Sequence, residues 1–147
     1  MRGAGSGEYY IARNSSDAGM LYFLPPQQPK LDANADRQNA LDSAFVSVAP
    51  HILSFEAGTS FVSFEGISFA HARGTIITTS GPVSNITIHG CTVSNGGGSG
   101  INLTGTGIVI SDTEVHGLAA TGVEIRGGHH KSLERGDNVI RGNYIHS

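Results

Sequence analysis

The stretch IHGCTVSN at residues 88–95 carries a pattern that occurs four times in this chain of 147 residues. Each copy has an apolar residue at its start, a Gly or Asp two places later, an apolar residue five places on, and a small residue or a His seven places on. The copies start at positions 64, 88, 110 and 140, which are 24, 22 and 30 residues apart. A period in the low twenties predicts a solenoid, because one such unit cannot bury its own apolar face. The other three copies read FEGISFAH (residues 64–71), ISDTEVHG (110–117) and IRGNYIHS (140–147).

A second pattern recurs at the same intervals as the first. ITTSG at residues 77–81, INLTG at 101–105 and VEIRG at 123–127 each end on a Gly, and these glycines also lie 24 and 22 residues apart. Each coil is therefore interpreted as two main strands, with room for a short third, separated by Gly, Ser and Asn turns. Parallel coils stack about 4.8 Å apart, so equivalent residues form columns. The sequence predicts an all-β parallel β-helix with coils of about 22–24 residues, in which Ile77, Ile101 and Val123 share one column.

The two ends of the chain differ from the coils. EYYIAR at residues 8–13 and MLYFL at 20–24 flank a turn-forming cluster, which predicts a β-hairpin. Residues 44–48 and 51–55 alternate like strands on either side of Pro50, and residues 53–56 lie 24 before residues 77–80. We expect a hairpin region over residues 1–30, a connection with the first strands over 31–60, and coils over 61–147. The last coil stops before its second strand, so we expect the chain to be a piece of a longer protein.

Composition narrows the class of protein. Only 14% of the residues are charged and 21 are Gly, which suits a sheet-rich body with many tight turns. The formal net charge of -3, without a Lys/Arg cluster, argues against a nucleic-acid partner. No apolar run approaches the roughly 18 residues that cross a membrane, and residues 1–7 lack the apolar core of a signal peptide. Cys91 is the single cysteine, so no internal disulfide forms, and nothing in the pattern indicates an oligomeric state.

Outward side chains of the second pattern form a candidate binding face. Side chains alternate along a strand, so residues beside the apolar column face solvent. Hydroxyl, amide, carboxylate and guanidinium groups suit a sugar, because each sugar hydroxyl needs a donor or an acceptor in return. A solvated face of a solenoid is polar as well, and this alternative stays open. The outward residues are Thr78, Ser80, Asn102, Thr104, Glu124 and Arg126, of which the last four are predicted substrate contacts.

The long coil carries a second candidate. The interval from the closing Gly to the next apolar start is 7 residues (81 to 88), then 5 (105 to 110), then 13 (127 to 140), which places an insertion at residues 128–138. Loops on a rigid scaffold carry function, so His129 and His130 are predicted substrate contacts. Adjacent His residues rarely ligate together, and no Cys or second His pair completes a set, so neither a metal site nor any other cofactor is predicted.

Further titratable residues recur in the first pattern. His71, His116 and His146 lie near one coil position, and such repetition favours a structural role, such as a turn hydrogen bond, over catalysis. Asp112 and Glu114 lie two residues apart and suggest an acid–base pair. The sequence brings no further carboxylate near them, which weakens that interpretation.

Several stretches resemble a known group of proteins. Residues 7–26 are similar to the hairpin that precedes the coils in right-handed parallel β-helix proteins of the pectate-lyase-like superfamily. GVEIRGG at residues 122–128, RGDNVI at 135–140 and NYIH at 143–146 resemble coils of the same group. The group includes glycoside hydrolases and polysaccharide lyases. The resemblance implies a right-handed helix, a polysaccharide or oligosaccharide partner, and a secreted or cell-surface location.

The chain departs from the catalytic patterns of that group. A calcium-dependent lyase site needs several acidic ligands, whereas the outward ladder offers only Glu124. Hydrolysis needs two carboxylates about 5–9.5 Å apart, and this sequence does not assemble them. The resemblance therefore implies part of a glycoside hydrolase whose catalytic acids lie beyond this chain. A polysaccharide lyase or epimerase of the same fold and a non-catalytic glycan-binding or adhesion module are the alternatives.

Overall fold

The computed structural model describes residues 8–13, 19–24, 46–129 and 131–147. The chain divides into two compact units, Met1–Phe45 and Val46–Ser147. In the first unit, strands β1 (Glu8–Arg13) and β2 (Gly19–Leu24) pair antiparallel, with Glu8 opposite Leu24 and Arg13 opposite Gly19. The predicted hairpin is therefore confirmed, and its turn lies outside the described residues. The predicted division of the chain at residues 30 and 60 stays a prediction.

Short strands that recur in threes build the second unit. Within the ranges just given, no segment forms a helix long and apolar enough to cross a bilayer. In chain order the strands are β3 (Leu53–Phe55), β4 (Ser60–Glu65), β5 (Ser68–Ala70), β6 (Ile77–Thr79), β7 (Val83–His89), β8 (Thr92–Gly96), β9 (Ile101–Thr106), β10 (Val109–Ser111), β11 (Glu114–Leu118), β12 (Val123–Arg126), β13 (Val139–Arg141) and β14 (Tyr144–Ile145).

Every third strand pairs in parallel, which gives three ladders along the solenoid axis. The first ladder contains β3, β6, β9 and β12, the second β4, β7, β10 and β13, and the third β5, β8, β11 and β14. Ile101 lies opposite Ile77 on one side and Val123 on the other, so the predicted column is confirmed. Leu53 lies opposite Ile77, which confirms the predicted first coil at an offset of 24 residues.

Each coil contains the third strand for which the sequence left room, because a left-handed residue divides the eight-residue pattern into two strands. The Gly or Asp two places into each copy has a positive φ, with values from 52° at Asp112 to 66° at Gly66. A residue in this conformation turns the chain and ends the strand, and Gly, Asn and Asp adopt it with the least strain. The second and third ladders thus meet at a corner whose column is Gly66, Gly90, Asp112 and Gly142.

The other two corners use the same device. Asn85 (φ 52°) and Gly107 (φ 66°) occupy the corner between the first and second ladders, and Asn95 (φ 57°) and Gly117 (φ 63°) occupy the corner that ends the third. Phe61, at φ 58° and 82% exposed, takes the first of these corners in the first coil. A bulky residue in this region is strained, so Phe61 is the conspicuous exception among the described corners.

Apolar side chains from all three ladders fill the interior. In the first coil Phe64 contacts Phe55 and Phe69 edge to face, with ring centroids 6.0 and 5.7 Å apart. In later coils the same columns hold aliphatic residues, and Ile88, Ile110 and Val115 are fully buried. The last coil is open, because Ile140 and Ile145 in those columns are 52% and 49% exposed. The core is therefore a stack of layers, each of which depends on the next for burial.

Two of the closing glycines of the second pattern, Gly105 and Gly127, stand where two backbones approach closely. A Cβ on Gly105 would lie 2.0 Å from the Val83 carbonyl oxygen, and one on Gly127 would lie 2.0 Å from the Gly105 carbonyl oxygen. Both distances are far shorter than atoms tolerate. Val83 also pairs with Gly105, so the first and second ladders are continuous at this corner.

Two asparagines anchor the last coil to the one before it. The Asn143 side chain accepts a hydrogen bond from the Thr113 N–H (2.9 Å) and donates one to the Ile110 carbonyl (3.0 Å). Asn138 does the same with the Ile108 N–H (2.9 Å) and the Gly105 carbonyl (3.1 Å). These amides satisfy backbone groups that the corners leave without a ladder partner.

The residues ahead of the first coil form less strand than predicted. Residues 46–52 contain no strand, and β3 begins only at Leu53. Pro50 lacks an N–H and cannot complete a ladder. Its carbonyl and that of Ala49 instead accept hydrogen bonds from the Gly74 and Arg73 N–H groups, at 3.1 and 2.8 Å. The predicted strand at residues 44–48 begins outside the described residues. Residues 46–48 are described and form no strand, so the prediction is wrong for them.

Candidate functional site

The outer face of the first ladder carries two polar rows. Asn102 lies between Thr78 and Glu124 in one row, and Thr104 lies opposite Arg126 in the other. Their strand neighbours Ile101 and Leu103 are fully buried, so alternation turns the polar residues outward, as predicted. Ser80 follows the end of β6 and is exposed, but its hydroxyl lies 3.1 Å from the Glu56 carboxylate, at the start of the solenoid.

The charges of this face neutralise one another. The Arg126 guanidinium donates a hydrogen bond to the Glu124 carboxylate on the same strand. Among the described residues, by contrast, the side chains of Asn102 and Thr104 have no hydrogen-bond partner. The face therefore presents one closed ion pair beside an amide and a hydroxyl that are open to a ligand.

The insertion folds back on itself. His129 forms an isolated antiparallel bridge with Glu134, and its Nδ1 accepts a hydrogen bond from the Ser132 N–H at 3.1 Å. The Ser132 hydroxyl lies 2.9 Å from the same nitrogen. Nδ1 of His129 thus stabilises the turn of its own loop. His130, the other predicted contact, lies outside the described residues. Gly127, Gly128, His129, Leu133 and Glu134 line a shallow, open depression here.

A third group lies on the outer face of the third ladder, where the sequence interpretation expected histidines in a structural role and predicted no substrate contact. We call Glu114, His116, Tyr144 and His146 the third-ladder cluster. The Glu114 carboxylate lies 3.2 Å from His146 Nε2. The His116 and His146 rings stack with centroids 5.1 Å apart and planes 13° apart, and the Tyr144 ring lies 4.4 Å from His146. Aligning the copies that start at 110 and 140 places these residues in adjacent coils, so the signal was present in the repeat.

His71 does not belong to that row. It has a φ of 65° and occupies the same corner column as Asn95 and Gly117, one position later than His116 and His146. The three histidines therefore do not form one row, because the pattern places His71 at the turn and the other two on the strand. The prediction of one shared structural position was wrong for His71.

The predicted Asp112–Glu114 pair is divided between two histidines. Asp112 sits in a corner, and its carboxylate lies 3.3 Å from His89 Nδ1, whereas Glu114 contacts His146. His89 Nδ1 also lies 3.0 Å from the Ser111 hydroxyl. A Ser–His–Asp triad requires the serine and the aspartate at opposite nitrogens of the ring. Since both contacts use one nitrogen, this trio is not arranged for nucleophilic catalysis.

Across residues 46–129, 131–147 and the described hairpin strands, no three His, Cys, Asp or Glu side chains are grouped so as to hold a metal ion. Cys91 is buried in the interior, where its thiol faces the His89 carbonyl at 3.3 Å.

Comparison with known families agrees with this geometry. The family described as "Right handed beta helix region" matches residues 52–147, which is most of the second unit. The chain belongs to this family. The parallel β-helix predicted from the repeat and the right-handed sense implied by the resemblance are therefore confirmed. No curated protein and no solved structure matched the chain. Membership in the right-handed β-helix family defines the fold, and one fold hosts several chemistries.

Proposed function

We propose that this right-handed β-helix binds a polysaccharide along the outer face of its first ladder. The observation that carries the proposal is the pair of polar rows in which the Asn102 amide and the Thr104 hydroxyl have no partner among the described residues. Strands in a ladder repeat about every 4.8 Å, a spacing comparable to one sugar ring in an extended chain. A glycan that runs across the strands would meet a new polar group with each ring.

The closed ion pair favours a ligand without charge. Because the Glu124 carboxylate neutralises the charge of Arg126, an anionic or cationic sugar gains little net attraction from this face. A neutral chain of hydroxyl groups can instead bond to Asn102 and Thr104 while the pair stays intact. Hydrogen bonds of this kind contribute about 0.5–1.5 kcal/mol each, so several rows acting together give useful affinity.

The reaction that we propose for the protein carrying these coils is glycoside hydrolysis, with a secreted or cell-surface location. The support is the resemblance of residues 122–128 and 135–146 to coils of β-helix hydrolases. The Asp112 and Glu114 carboxylates each contact a different histidine, so we do not assign this pair the roles of acid and nucleophile.

A non-catalytic glycan-binding module is the second candidate. The specific observation that favours it is the same neutral, partner-free surface, which suits retention of a sugar chain without bond cleavage. No observation of this kind favours elimination by a lyase. The product test below would detect that reaction.

Binding is tested by titrating neutral and acidic polysaccharides into the protein. The double variant Asn102→Ala/Thr104→Ala should bind at least about 10-fold more weakly, because two hydrogen bonds are lost. The matched control is Ser63→Ala/Thr87→Ala, a pair of opposed outward residues on the second ladder. Unchanged binding in the first variant, or an equal loss in the control, would contradict the proposal.

The products of a long incubation distinguish the reactions. New reducing ends without an unsaturated product support hydrolysis, and an ultraviolet-absorbing product supports elimination and contradicts the hydrolase proposal. Binding without any product supports the non-catalytic module.

A further inference from the structure

The third-ladder cluster has the composition of a ring-stacking subsite. Val115 and the opposed Ile145 point into the interior, so the residues on either side of them in β11 and β14 point out. Glu114 lies directly opposite Tyr144, which places a carboxylate beside an aromatic ring on one outward face. This face belongs to a different ladder from the one proposed above to bind polysaccharide.

Contacts within the cluster hold its rings in place. The His146 ring contacts His116 in a nearly parallel stack and contacts Tyr144 at 4.4 Å, while its Nε2 meets Glu114 at 3.2 Å. Each contact removes rotamer freedom before a ligand arrives. Preorganised side chains lower the entropy cost of binding, so such a surface binds better than the same residues on a mobile loop.

Tyr144 is the part of the cluster that a ligand can reach. The residue is 65% exposed although it packs against His146 on one side. An exposed ring with an electron-rich face attracts the C–H groups of a sugar ring, whose own faces are apolar. The Glu114 carboxylate is 46% exposed and accepts hydrogen bonds, so it can receive two neighbouring sugar hydroxyls.

We propose that the third-ladder cluster is a second glycan subsite, at which Tyr144 stacks on one sugar ring and Glu114 accepts hydrogen bonds from its hydroxyls. The inference rests on the proposed function only in that the ligand is a glycan. It gives a separate reason to expect neutral sugars over uronic acids, because a uronate carboxylate would lie beside the Glu114 carboxylate and be repelled.

Two soluble probes test the subsite in the full chain, a neutral β-linked hexasaccharide and a hexasaccharide of galacturonic acid. Titration calorimetry should show tighter binding of the neutral probe. Tyr144→Ala should weaken that binding about 10-fold or more, whereas Tyr144→Phe keeps the ring and should change it less than about 3-fold. Glu114→Gln removes the charge and should narrow the preference for the neutral probe.

A measurement on the unaltered protein guards against a folding defect in the variants. The ring protons of His146 should shift in the NMR spectrum when the neutral probe is added, because the probe lies over the Tyr144 ring, which contacts His146. Absence of any shift at saturating probe would overturn the inference, as would a Tyr144→Ala variant that binds like the unaltered protein.

The two glycan proposals fail separately. If Asn102→Ala/Thr104→Ala abolishes binding and Tyr144→Ala does not, the first-ladder face stands and the subsite is wrong. If Tyr144→Ala abolishes binding and the double variant does not, the subsite stands and the first-ladder face is wrong. If neither probe nor any polysaccharide binds, both are wrong.

Discussion

Replacement of Ile88 by Ala tests the stacked interior most directly. Ile88 is fully buried in the second ladder, opposite Phe64 on one side and Ile110 on the other. The same column ends at Ile140, which is 52% exposed. One substitution, made at these two positions of a single column, therefore compares a middle layer with an open one.

The expected loss follows from the atoms removed. Ile→Ala deletes three carbons, and at about 0.8 kcal/mol per buried carbon the transfer contribution is about 2.4 kcal/mol. The void left between Phe64 and Ile110 adds a cavity contribution, so the free energy of unfolding should fall by about 3–4 kcal/mol. At Ile140 about half of the side chain already meets solvent and no enclosed void forms, so we expect a loss of about 1 kcal/mol.

Urea denaturation followed by far-ultraviolet circular dichroism measures both losses. The dependence of the unfolding free energy on urea concentration should match that of the unaltered protein, so that the change reports stability and not a different unfolded state. If Ile140→Ala lost as much free energy as Ile88→Ala, or more, the column would not be buried in its middle and open at its end. The reasoning from register to burial would then be refuted.

Two further predictions concern backbone positions. Gly105→Ala should reduce the free energy of unfolding by more than about 3 kcal/mol, because its Cβ meets the Val83 carbonyl oxygen. The control Gly90→Ala, at φ 58° with no heavy atom within 4 Å of its Cβ, should reduce it by only about 1–2 kcal/mol. Equal losses in urea denaturation would contradict the close approach at Gly105. Phe61→Asn should raise the midpoint of thermal unfolding and add about 0.5–1 kcal/mol to the free energy of unfolding. Asn relieves the strain at φ 58°, and loss of an exposed ring removes little packing. An unchanged or lower midpoint would show that the Phe61 ring stabilises the fold.

The register of the coils could be predicted because two landmarks moved together along the chain. The columns through Ile77 and Ile88 both shift by 24 and then by 22 residues, and stacking in this register buries both apolar sets. The third strand was less accessible to prediction. A Gly inside a short β-prone run is compatible with a bulge as well as a corner, and only the backbone conformation shows that Gly66 and Asp112 turn the chain.

The candidate sites show a similar division. Alternation along β9 and β12 was enough to turn Asn102 and Glu124 outward, because their neighbours fill the core. It could not show that Arg126 closes onto Glu124, since that contact depends on side-chain rotamers. The Glu114–His146 contact was in principle available from the aligned copies. The sequence interpretation missed this contact because it grouped His71 with His116. His71 lies one position later in the pattern, at a corner, whereas His116 lies on a strand.

The coil with the insertion at residues 128–138 shows that this fold accepts extra residues between two strands. Between Gly127 and Asn138 no described residue belongs to a ladder strand, yet Val139 pairs with Val109 in the same register that Val109 keeps with Thr87. The Asn138 amide fixes the position at which the chain rejoins the coil, so the length of the loop does not alter the register of the ladders. A binding peptide or a reporter spliced into that loop would be held by a scaffold whose register it does not set, which makes the position a graft point for protein engineering.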